Sequence, residues 1–162
     1  MTNQDDIPEI FRQNDSLNSE KQSVFDIKSE YGAAMQVIAE LSGAYVLQTE
    51  QALQKALELT QKAKQCSSLS EKDTLMKKEV FRLVHDIKGQ GATFGYPLMT
   101  DIGNKLCRYL ESRKEFTDMT LEKVRRHLLL LTRILENQVM ETTSEKATEI
   151  LNEMKKIETE EA

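Results

Sequence analysis

One histidine in this chain sits where core packing would not put it. His85 lies within Val80–Tyr96, which reads VFRLVHDIKGQGATFGY. At about 100° of rotation per residue, Val80, Leu83, Ile87 and Phe94 share one apolar stripe, with Met76 joining it and Val84 on its flank. His85 falls roughly opposite. It shares its face with Lys78, Phe81, Arg82, Lys88, Gly89 and Ala92. That face combines a nucleophilic imidazole, three cations, two small residues and one aromatic ring.

The spacing excludes several chemistries. A hydrolytic site needs an orienting partner and an oxyanion donor, and nothing nearby has triad spacing. A metal would need a second ligand one turn away, where Phe81 and Gly89 stand; no metal and no cofactor is expected. Phosphate chemistry fits better. Neutral imidazole is a good nucleophile, and Lys88, one turn on, can pair with phosphate oxygens. Gly89 removes the side chain that would hold a docking protein away, although an interior helical glycine costs about 0.5–1 kcal/mol relative to alanine. Gly91 points to the core flank, where it allows close helix packing. His127, in RRHLLLL, lacks a following Lys-Gly and is expected to be structural or merely on the surface.

The run His85-Asp-Ile-Lys88-Gly89, with Gly95 ten residues after the histidine, resembles the histidine-phosphotransfer (HPt) domains of bacterial phosphorelays. The wider HDIKGQGATFGY is similar to the phosphorylated domain of chemotaxis histidine kinases. The resemblance implies a phosphocarrier rather than an enzyme. His85 would take a phosphoryl group on Nε2 from a receiver's phosphoaspartate and pass it to a second receiver, in a response regulator or hybrid kinase. Lys88 would pair with the phosphate and Gly89 would admit the receiver, whose own Mg²⁺ and lysine would supply most of the charge stabilisation. Phe81, Arg82 and Ala92 are the expected docking residues. In the chemotaxis kinases a glutamate twenty-two residues after the histidine helps activate the imidazole; here that position is Cys107. This departure argues against direct phosphorylation by an ATP-dependent kinase, which stands as one alternative. A helical adaptor that binds receivers or a kinase without carrying phosphate is another. The length leaves no room for an ATP-binding kinase domain.

The elements around the histidine read as helices. Met35, Ile38, Leu41, Tyr45, Ala52, Ala56 and Leu59 recur at helical spacing between Asp26 and about Gln65, in one helix or in two broken near Gly43. Cys66–Ser70 is a turn, with Ser70 and Asp73 resembling a capping box. The histidine helix runs from about Glu71 to Phe94 and ends at Gly95-Tyr-Pro97. Helices follow from Pro97 to about Lys114, from Leu121 to about Met140 behind an N-cap at Thr120, and from about Ser144 to Glu158. Four consecutive leucines, Leu128 to Leu131, point to burial by several neighbours. Short connections favour antiparallel neighbours. The expected fold is all-α, an antiparallel up-down four-helix bundle with one or two additional helices over residues 26–162. Residues 1–25 form a polar N-terminal segment, flexible or a short helix.

Composition agrees. At 162 residues the chain can bury one core. The net charge of −5 lacks the basic footprint of nucleic-acid binding. The acidic start MTNQDDIPEIF is unlike a secretory signal, and no apolar run has membrane-spanning length. A cytoplasmic monomer without membrane contact is expected. Cys66 and Cys107 lack metal-site spacing; free thiols and a disulfide both fit the sequence.

Overall fold

In the computed structural model the backbone is described for residues 9–160, and side chains are described at Asp26 and from Ser29 onward. Every regular element among these residues is helical: α1 (Glu9–Gln65), α2 (Leu69–Thr74), α3 (Phe81–Gly91), α4 (Pro97–Ser112), α5 (Asp118–Glu136) and α6 (Glu145–Thr159). A π-helical stretch, Leu75–Val80, joins α2 to α3, and a 3₁₀ turn, Ala92–Phe94, follows α3. Residues 1–8 of the expected N-terminal segment lie outside the described residues, and 9–25 are the first part of α1. The chain divides into two compact units, Met1–Gly43 and Ala44–Ala162. No helix is long and apolar enough to cross a membrane among the described residues.

In the first unit α1 is a single helical segment. Met35, Ile38 and Leu41, expected in a core stripe, are about half exposed there, and Tyr31 is 68% exposed. Gly43 makes no break, because one glycine costs a helix only about 1 kcal/mol.

The second unit holds the core. Tyr45, Thr49, Leu53, Ala56, Thr60 and Ala63 are the buried stripe of α1 there. The Tyr45 ring stacks on Phe94 at 4.7 Å. Neighbours in sequence pack on one another, α3 on α4, α4 on α5 and α5 on α6. Of the leucine run, Leu128, Leu130 and Leu131 are buried and Leu129 is exposed. Each buried leucine side chain contributes about 1.5–3 kcal/mol relative to exposure. Lys64 of α1 and Arg125 both bind Glu122 of α5, and these hydrogen bonds, Arg125's foremost, bring the Glu122 carboxyl down to about 2.

The helix starts follow capping chemistry, with two positions displaced from expectation. Ser68, not Ser70, caps α2 by accepting from the Glu71 N–H. Thr117, not Thr120, caps α5 by accepting from the Thr120 N–H. Ser144 caps α6. Gly95 sits at φ 84°, where an L side chain is strained, and turns the chain so that Pro97 can start α4. Both cysteines are free thiols.

Candidate functional site

His85 projects from the middle of α3 with its side chain 57% exposed. The π stretch decides which residues lie beneath it. Met76, Val80 and Val84 are all fully buried, a four-residue repeat that a regular 3.6-residue helix cannot hold on one line. The wider π turn takes up the difference; the Phe81 N–H reaches back to the carbonyls of Lys78 and Met76. The buried line therefore runs Val80, Val84, Ile87, Gly91, while Leu83 and Phe94, expected at its centre, are only partly buried.

The expected site residues divide into those gathered at the imidazole and those placed elsewhere. Phe81 is half-buried against the core and lies stacked beside His85, with ring centroids 5.9 Å apart. Gly89, one turn on, is exposed, and a Cβ built on it meets nothing within 4 Å. Arg82 and Ala92 are exposed, with Arg82 3.8 Å from Glu79. Asp86 approaches the imidazole Nδ1 to 3.9 Å, too far for a hydrogen bond.

Lys88 is held by the next helix. Its ammonium donates to Asn104 Oδ1 of α4 at 2.9 Å, and its stem lies over Gly103, where an added Cβ would come within 2.7 Å of the Lys88 Cβ. Next to it, the Thr100 hydroxyl donates to the Lys88 carbonyl at 2.8 Å and accepts from the Ala92 N–H at 3.1 Å. It thus spans the two groups that a regular turn joins directly. Gly91 makes this approach feasible, since a Cβ there would lie 2.8 Å from Met99 Cβ and 2.9 Å from Thr100 Oγ1. Asn104, Thr100 and Gly103 were not singled out from the sequence. Their signal is weak: two small residues, Gly91 and Gly103, on consecutive helices mark a close crossing, but only tertiary contact pairs them.

Cys107 is buried in α4. Burial pushes its thiol up to about 11, while the Lys88 charge pulls the other way. At neutral pH it is an uncharged thiol and a poor proton acceptor. His127 is buried, with Nδ1 2.8 Å from the Lys123 carbonyl and its ring stacked near Tyr109. Burial lowers its pKa, so it is a neutral packing residue. Among the described residues no group of three or more His, Cys, Asp or Glu could hold a metal ion.

Set against protein-family models, curated proteins and solved structures, the chain matches none of them.

Proposed function

We propose that the protein is a histidine-containing phosphotransfer protein, an HPt-like up-down four-helix bundle working in the cytoplasm and exchanging phosphoryl groups with receiver domains through His85. The observation that carries this reading is the pairing of an exposed imidazole on a packed helix with open space above Gly89 one turn away. At Gly89 no side chain stands in the way of an incoming active site.

In the proposed step, the Nε2 lone pair attacks the phosphorus of a receiver's aspartyl phosphate. The N–P bond forms as the P–O bond to the aspartyl group breaks, and its electron pair leaves on the carboxylate. With Nε2 attacking, the imidazole proton is on Nδ1. Phe81 fixes the ring from one side, and Lys88 exchanges Asn104 for a phosphate oxygen. Such positioning is what phosphoryl transfer asks of a protein that supplies no metal. Direct phosphorylation by an ATP-dependent kinase is the weaker reading, because buried, neutral Cys107 occupies the place of the chemotaxis kinases' glutamate.

The test is transfer from phosphorylated receivers, followed as acid-labile, base-stable label. Wild type becomes labelled and His85→Gln does not, with unchanged helicity. Label on His85→Gln, or none on wild type from any receiver of a full panel, refutes the carrier. Equal receiver binding by both proteins without label marks an adaptor instead.

A further inference from the structure

The first unit carries an apolar face that nothing in it covers. Tyr31, Met35, Val37, Ile38 and Leu41 are 49–68% exposed on α1. Their spacing is ordered. Tyr31, Ala34, Ile38 and Leu41 follow the three-four alternation of a heptad seam, with Tyr31 and Ile38 at a and Ala34 and Leu41 at d. In the sequence the same register continues upstream through Ile27 and Val24 and again at Leu17, with Glu20 at the d position between them. Met35 and Val37 flank the seam at e and g, while Gln36 and Glu40 lie on the opposite side and hydrogen-bond to each other at 3.1 Å.

We infer that this face pairs with the same face of a second copy, as a parallel two-stranded coiled coil along the Tyr31–Leu41 stretch of α1. Three observations favour that occupant. Ile38 at a with Leu41 at d, in one of the two heptads, is the combination that favours two parallel strands. At these exposures the five large side chains leave roughly 500 Å² per copy, so a symmetric pair that buried all of it would reach the roughly 1,000 Å² of a specific interface. The third is charge: between residues 26 and 43 the helix has Asp26, Glu30 and Glu40 against Lys28 alone. A helix that lies on an anionic membrane carries the reverse balance on its polar face. The pairing departs from the monomer expected from the sequence, and it does not depend on what His85 carries.

The experiment is sedimentation of the full chain over a wide concentration range. Wild type is expected to reach a mass of twice 18.6 kDa. Ile38→Glu with Leu41→Glu places charges in the seam and is expected to weaken pairing by at least roughly a hundredfold. The control Met119→Glu alters an equally exposed apolar residue on α5 and stays paired. Circular dichroism shows that each variant is folded. Orientation is read in a Cys66→Ser background: Leu41→Cys forms a disulfide-linked pair on mild oxidation and Gln36→Cys does not. Wild type that stays monomeric, whether or not it floats with vesicles, overturns the inference. So do a paired double variant, a wild-type mass above two copies, or equal cross-linking at positions 36 and 41.

Discussion

Gly89 and Gly91 stand two residues apart on α3, and alanine at each should move stability in opposite directions. At Gly89 an added Cβ meets nothing within 4 Å, so Gly89→Ala keeps the structure and gains the helix preference of alanine, about 0.5–1 kcal/mol. At Gly91 the same atom would come 2.8 Å from Met99 Cβ, 2.9 Å from Thr100 Oγ1 and 3.0 Å from the Tyr96 carbonyl. Two of these contacts are rigid: one is backbone, and the other is a Cβ fixed to it. The third is the hydroxyl that bridges Lys88 and Ala92. Overpacking of this kind costs about 1–3 kcal/mol, to which the loss of the bridge adds about 1 kcal/mol. Alanine's helix preference returns a similar amount, leaving a net loss of about 2 kcal/mol. For a chain of this length that lowers Tm by roughly 4–8 °C, whereas Gly89→Ala raises it by roughly 1–4 °C. Urea and thermal unfolding by circular dichroism measure both. A Gly91→Ala protein as stable as wild type, or a Gly89→Ala protein less stable than it, would refute the packing argument. Leucine at 89 should leave stability near wild type while slowing transfer to His85, which separates access from folding.

Other expectations concern charge. Lys88→Ala should slow phosphotransfer by roughly tenfold or more, the worth of one charge-assisted hydrogen bond, while Asn104→Ala changes it by less than about threefold; equal losses in stopped-flow transfer would mean that the Asn104 contact itself matters. His127 has a folded pKa below its unfolded value. Above the unfolded value, near 6.5, both states are neutral and the residue has no effect on the pH dependence. Below it the unfolded chain takes up a proton that the buried ring refuses, so stability falls as pH drops from about 6.5. Urea midpoints between neutral and mildly acidic pH should decline in wild type and decline less in His127→Leu; identical slopes would count against the buried, neutral ring.

Much of the helical layout was legible because the punctuation is chemical. Gly95-Tyr-Pro97 ends one helix and starts the next, and Ser144 opens the last, because these residues do locally what no tertiary contact has to enforce. The caps at Ser68 and Thr117 were misplaced because each lies in a cluster of hydroxyl residues in which several could serve. The early start of α1 was missed because polar composition suggested a tail. Between Pro8 and Gly32, however, no proline or glycine interrupts the helix. Periodicity marked Met35, Ile38 and Leu41 as apolar-face residues but could not say that no element of their own unit covers them. At the site, the exposure of His85 and the openness at Gly89 followed from helical geometry alone. The Asn104 and Thr100 contacts did not, since they join residues sixteen and twelve positions apart across two helices.

The π turn before the histidine has a consequence for comparing sequences. Met76 and Val84 are eight residues apart and both fully buried, whereas in a regular helix eight residues leave about 80° between them and seven bring them within about 20°. The stretch Leu75–Val80 thus behaves as a one-residue insertion absorbed without a loop. A related chain lacking that residue would bury the same face and expose the same histidine with an ordinary helix. Aligned at the histidine without a gap, the two would agree downstream and fall one position out of step upstream, so that true core equivalents would be scored as mismatches.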